Sequence, residues 1–172
     1  MEFEITASTT DVATALHSKA DDATQYETER GKPMPSKNHA ILQGEIYFQL
    51  RTNYGRAHDI LPEHELELVK RVVPDLCVFP KTERDWLHDT LRSMQPPLLA
   101  VEILSPRQLL DDILDKIDTV YFPSNVPSVW VVLPQAQSIM LFRKNQAAKT
   151  FANGLLKDDA SGFEIDLDKV FA

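Results

Sequence analysis

Two apolar stretches, Val72–Phe79 and Leu98–Ser105, each carry a single carboxylate, Asp75 and Glu102. In residues 98–104 strict alternation puts Leu98, Ala100, Glu102 and Leu104 on one face and Leu99, Val101 and Ile103 on the other. Both faces are apolar, which is the pattern of a central strand covered on both sides of a sheet. A lone carboxylate buried there is costly unless a metal ion or a cation compensates it. The chain must therefore build a sheet with a packed middle and bring positive charge to Glu102.

The next segment can supply that charge. Ser105-Pro106 reads as a helix start, serine as cap and proline at the first helical position, with the helix running to about Phe122. At about 100° per residue, Leu109, Leu110, Ile113, Leu114, Ile117, Val120 and Tyr121 share one apolar arc, with Asp111, Asp115 and Asp118 opposite. Lys116 falls just outside the arc, with Asp112 one turn earlier on the same side. A lysine so placed can lay its stem along the sheet and point its ammonium at a strand end. The competing role is a surface ion pair with Asp112 at i,i+4 spacing.

The rest of the chain predicts a single domain, residues 1–172, with residues 1–24 as a peripheral N-terminal lead-in. After a turn region at Arg30–Pro35, Ser36 is placed to cap a helix to about Asn53, on which His39, Leu42, Ile46 and Leu50 share a face. Residues 59–80 read as two or three strands, and residues 86–95 as a polar helix or loop insertion. Strands follow at Pro127–Leu133 and Ser138–Arg143, joined at Pro134–Gln137, with a last strand near residues 148–152 and an Asp-rich terminal segment. This order is that of an α/β domain with a central mixed β-sheet flanked by α-helices.

Composition excludes several classes. No apolar run reaches the roughly 18 residues of a membrane helix and the acidic start is unlike a secretory signal, so a cytoplasmic location is expected. One cysteine, Cys77, inside an apolar run, rules out a disulfide framework and a Cys-based zinc site and reads as a small buried hydrophobe. His58 and His64 lack helical metal-pair spacing, and no glycine-rich phosphate loop exists among five glycines. Trp86 and Trp130 read as packing residues. The net charge of −8 lacks the basic footprint of nucleic-acid binders, leaving Arg51, Arg56, Lys70, Arg71, Lys81 and Arg84 as a candidate local patch.

Tyr26-Glu27, the Pro35–His39 run, Pro74-Asp75, Val101–Pro106, Asp112 to Lys116, Tyr121 and Val129-Trp130-Val131-Val132 together resemble the Uma2 family. That is the DUF820 group of PD-(D/E)XK endonuclease-like proteins, abundant in cyanobacteria, and the resemblance spans roughly residues 25–145. It implies a restriction-endonuclease-like core and a Mg²⁺-dependent DNA endonuclease site, with Mn²⁺ as a substitute ion. Asp75 and Glu102 match the two metal-binding acids, and the Ile103 carbonyl is a further ligand. Lys116 matches the family's helix-borne lysine; Leu104 occupies the place of the superfamily's strand lysine. Glu27 matches a further acid and His39 a recurrent helix-start histidine, while Glu45 lies on a helix that could face the site.

Such a site suits a hard divalent cation, which takes one or two carboxylates and keeps its remaining shell for water and phosphate oxygens. Duplex cleavage by this fold usually needs two sites, so the resemblance also implies a homodimer. The chain departs from the family pattern at Ser128 and Leu133, where acidic residues are common. The rival reading is a catalytically inactive module of the same fold that binds a nucleic acid or protein partner; a weaker one is hydrolysis of a smaller phosphodiester. Retention of Asp75, Glu102 and Lys116 favours the enzyme, while the acidic charge and the lost polar positions favour the module.

Overall fold

Ser36 starts the first helix through its hydroxyl, which accepts a hydrogen bond from the His39 amide at 3.3 Å, and α1 runs Lys37–Tyr54. Its buried residues are His39, Leu42, Ile46 and Leu50, the expected stripe, together with Gln49. The computed structural model describes residues 34–172, and Pro35–Ala172 form one unit. The expected lead-in, Tyr26 and Glu27 lie outside the described residues.

Four strands, rather than two or three, fill the next stretch: β1 (His58–Pro62), β2 (Glu65–Glu67), β3 (Arg71–Val72) and β4 (Leu76–Pro80). The insertion that follows is mostly loop and contributes only β5 (Arg92–Ser93). Then come β6 (Leu99–Ile103), α2 (Leu110–Lys116), a π-helical turn (Ile117–Tyr121), β7 (Ser128–Leu133), β8 (Ser138–Arg143) and β9 (Lys149–Phe151). The terminal segment folds into β10 (Leu155–Asp158), β11 (Phe163–Asp166) and α3 (Leu167–Val170).

The main sheet has six strands in the order β1-β4-β6-β7-β8-β9. Only β6 and β7 are parallel; every other neighbouring pair is antiparallel, so the sheet is mixed as expected. All five residues of β6 are buried, because both of its faces are covered. On one face Leu99, Val101 and Ile103 pack with Leu42, Ile46 and Leu50 of α1 and with Ile165 and Leu167 from the terminal segment. On the other, Ala100 packs with Cys77, Val129, Val131, Ile113, Ile117 and Tyr121.

Two expectations differ from the structure. The second helix begins at Leu110, not at Ser105-Pro106; Ser105 is buried and its hydroxyl faces His39, so it is not available as a cap, and the intervening residues form a turn. Trp86 is not a packing residue: it is 82% exposed, at the tip of the insertion, beneath the Arg84 guanidinium at 5.7 Å. The Asp-rich end folds into a hairpin, whose turn relies on Gly162 at φ +79°, a conformation that suits glycine.

Candidate active site

Asp75 and Glu102 stand on neighbouring chain segments where the β4–β6 ladder ends. Leu76 pairs with Val101, so continuing the register by one residue sets Asp75 against Glu102. The two carboxylates are 2% and 3% exposed, and each is met by donors from a different element. Glu102 Oε1 accepts from Lys116 Nζ at 2.9 Å and from the Tyr121 hydroxyl in a very short contact. The Lys116 side chain remains 23% exposed, so its stem covers the sheet while its ammonium reaches the strand end. No ion pair joins Lys116 to Asp112, which is exposed.

The π-helical turn explains how two residues five apart reach one oxygen. In an α-helix a separation of five places side chains about 140° apart. From Ile117 to Tyr121 the hydrogen bonding lengthens to i→i+5, the Phe122 amide donating to the Ile117 carbonyl at 3.0 Å, and the wider turn swings Tyr121 toward Lys116. Burial first, then the charge and hydrogen bond of Glu102, push the Tyr121 phenol well above its usual pKa, so it stays a proton donor.

Asp75 is held from two elements, β6 and α1. Its Oδ2 accepts from the Ile103 amide at 2.6 Å, and its carbonyl accepts from Gln43 Nε2 at 2.8 Å. Its Oδ1 lies 3.2 Å from His39 Nε2, and the opposite ring nitrogen, Nδ1, is 3.2 Å from Ser105 Oγ. His39 and Gln43 sit one turn apart on α1 and approach Asp75 by its carboxylate and its carbonyl respectively. The connectivity Ser105–His39–Asp75 is that of a nucleophilic triad. Ser105, however, is 4% exposed, so its hydroxyl serves as a tether rather than as an attacking group.

Of the expected set, the structure pairs Lys116 with Glu102 at 2.9 Å and ties Asp75 to the next residue of β6, Ile103, at 2.6 Å. It does not bring Glu45 to them, which is exposed on α1, and Glu27 lies outside the described residues. Gln43 is legible only as the residue one turn after His39, and the local pattern of Ser105 is that of a cap. Nor do the six basic residues make one patch beside the carboxylates. Arg51 and Lys81 donate to the Gly55 carbonyl at 3.0 and 2.9 Å, and Arg84 pairs with Asp59 at 2.8 Å. That group stands at the far end of β4 from Asp75, roughly 16 Å away along the strand. Arg71 instead pairs with Glu67 at 3.6 Å.

Among the described residues no group of three or more His, Cys, Asp or Glu side chains is arranged to hold a metal ion. The expected set, two carboxylates and a backbone carbonyl, needs no third such side chain. No helix among them is long and apolar enough to cross a membrane.

A mixed sheet carrying two acids on facing strand ends, with a lysine delivered from the following helix, defines a restriction-endonuclease-like α/β protein. The chain belongs to the Uma2 family, described as "Putative restriction endonuclease", whose sequence model matches residues 21–168. The fold is also similar to a crystal structure of "a putative nuclease belonging to DUF820" from Anabaena variabilis ATCC 29413. That likeness has a TM-score of 0.70 at 20% sequence identity and covers 81% of this chain and 83% of that one. Among curated proteins none matches the chain.

Proposed function

We propose that this protein is a divalent-metal-dependent DNA endonuclease whose site is built on Asp75, Glu102 and Lys116. The observation that carries the reading is the Lys116 ammonium, 2.9 Å from Glu102, beside a second buried carboxylate across the β4–β6 ladder. Family membership and the fold of the Anabaena protein, itself described as "a putative nuclease", support the same chemistry.

The donor set fits a hard cation. Asp75, Glu102 and the Ile103 carbonyl offer only oxygens, and Mg²⁺, or Mn²⁺ in its place, takes one or two carboxylates while keeping water and phosphate oxygens in its shell. When bound, such an ion supplies Lewis-acid charge to the scissile phosphate and activates water. The chain's own residues do the positioning. The Ile103 amide fixes Asp75, Tyr121 and Lys116 fix Glu102, and Lys116 offers the attacking water or the developing phosphate charge a point cation. Glu27 is the further acid of this proposal, and a homodimer supplies the second site for duplex cleavage.

A second reading, a non-catalytic binding module, is favoured by the net charge of −8 and by the distance of the Arg51–Lys81–Arg84 group from the carboxylates. Nicking of supercoiled plasmid at low salt with Mg²⁺ or Mn²⁺ decides between them. Cleavage that requires the ion and is lost in folded Asp75→Asn and Lys116→Ala variants establishes the endonuclease. No cleavage, with no thermal stabilisation by the ion, leaves the binding module.

A further inference from the structure

We propose that His39 is a positioning residue for the carboxylate site. It aims its Nε2–H at Asp75 Oδ1, setting the plane in which that carboxylate meets a divalent cation, and Ser105 holds the ring in the tautomer that makes this possible. The inference rests on the reading of Asp75 as a cation ligand.

Asp75 stands just before β4, after Pro74, its carbonyl accepting from the Glu63 amide at 3.1 Å and from Gln43 Nε2 at 2.8 Å. The Ile103 amide holds one carboxylate oxygen, Oδ2, at 2.6 Å. With Oδ2 held there, a donor on Oδ1 sets the plane of the carboxylate. The group facing Oδ1 is His39 Nε2, at 3.2 Å. That nitrogen is buried and makes no aligned hydrogen bond. A buried N–H in this state carries a desolvation cost, so a small rotation that completes the bond to Oδ1 is favoured.

The other ring nitrogen fixes which way the proton points. Nδ1 lies 3.2 Å from Ser105 Oγ, in a setting where both residues are buried. When the serine hydroxyl donates to Nδ1, the single proton of a neutral imidazole sits on Nε2, toward Asp75. A histidine lone pair turned toward a carboxylate is repulsive, so the opposite tautomer is disfavoured. Ser105 follows β6 three residues after Glu102, and the Ser36 cap sets the start of α1 that carries His39. The strand end that presents Glu102 thus also holds, through His39, the orientation of Asp75. Outer residues of this kind commonly change metal affinity about 10- to 100-fold when removed.

The test is Mn²⁺ affinity, measured by titration calorimetry on the full chain. Wild type, Asp75→Asn, His39→Ala, His39→Gln, Ser105→Ala and the His39→Ala/Ser105→Ala double variant are compared, with folding checked by circular dichroism. Asp75→Asn removes binding. His39→Ala weakens it about 10- to 100-fold, and His39→Gln, whose amide nitrogen replaces Nε2–H, restores most of the loss. Ser105→Ala weakens binding less than His39→Ala does and adds nothing once His39 is gone, because both act through one contact. A merely structural histidine lowers the melting temperature but leaves the affinity of the folded protein unchanged. Wild-type affinity in folded His39→Ala, alongside loss in Asp75→Asn, overturns the positioning role and leaves the endonuclease reading standing. Should His39→Ala not fold, wild-type affinity in Ser105→Ala, or in a folded His39→Phe variant lacking any ring donor, overturns it. No Mn²⁺ binding by wild type overturns both.

Discussion

Lys116 and Tyr121, five residues apart on one helical run, end on the same oxygen of Glu102. The π-helical turn is what brings them there, so the irregularity of the helix and the compensation of a buried carboxylate are one feature. One donor is charged and partly exposed, the other neutral and fully buried, and together they let a glutamate occupy the middle of a two-sided sheet.

Removing either donor therefore destabilises the fold. Tyr121→Phe deletes a hydrogen bond to a charged acceptor and is expected to cost about 1.5–3 kcal/mol. Lys116→Met removes the only cation contacting Glu102 among the described residues; with the lysine partly exposed, the loss is expected near the lower end of the range for buried pairs, about 3 kcal/mol. Because both donors share one oxygen, the double variant should depart from additivity by more than about 0.5 kcal/mol. Urea unfolding of the four proteins measures this, and strict additivity would contradict the shared contact.

Divalent cation binding is visible without turnover. An ion that binds only the folded state at about 100 times its Kd stabilises it by about 2.7 kcal/mol. Mg²⁺ or Mn²⁺ should raise the Tm of wild type in a concentration-dependent way and leave Asp75→Asn unmoved. An equal rise in the variant places the ion elsewhere.

The strands of the site were legible because two-sided burial writes a continuous apolar run, and Glu102 was conspicuous as its one interruption. Lys116 was legible by angle, but Tyr121 was assigned to the apolar arc, since α-helical arithmetic cannot anticipate an i→i+5 turn. Ser105 was misread for a related reason. Its local pattern is that of a cap, and a tertiary contact to His39, 66 positions away, overrides it. The terminal hairpin reads in the sequence only as an Asp-rich segment, although it forms two four-residue strands.

Ser128, one of the departures from the family pattern, has its own account. It is buried at the start of β7, and its hydroxyl donates to Asp158 Oδ2, which also accepts from Trp130 Nε1 at 3.0 Å and from the Ser161 hydroxyl. Val131, three residues on, is the residue paired with Glu102, so Ser128 lies about 10 Å along the strand from the site. Asp158→Ala strands these donors and is expected to cost more than about 3 kcal/mol, whereas Asp158→Asn, which keeps one acceptor, costs less. Guanidinium unfolding followed by Trp130 fluorescence compares the two; equal costs would refute the role of the acceptor.

Cys77 gives the fold a weakness toward base. Its thiol is buried, donating to the Leu61 carbonyl at 3.6 Å, and burial pushes its pKa from 9.0 up to about 12. Above the lower value the unfolded chain loses the thiol proton while the folded chain keeps it, so the native state binds more protons. Stability is then fully present below about pH 9 and falls as pH rises, by as much as ~1.4 kcal/mol per unit and on the order of 4 kcal/mol by the time the folded thiol titrates. Cys77→Ala lacks this loss. Other titrating groups are common to both proteins and cancel, so the stability gap between wild type and variant should narrow or reverse from about pH 8 to pH 11. Urea unfolding across that range measures the gap, and a constant difference would show that the thiol ionises as readily in the folded chain as in the unfolded one.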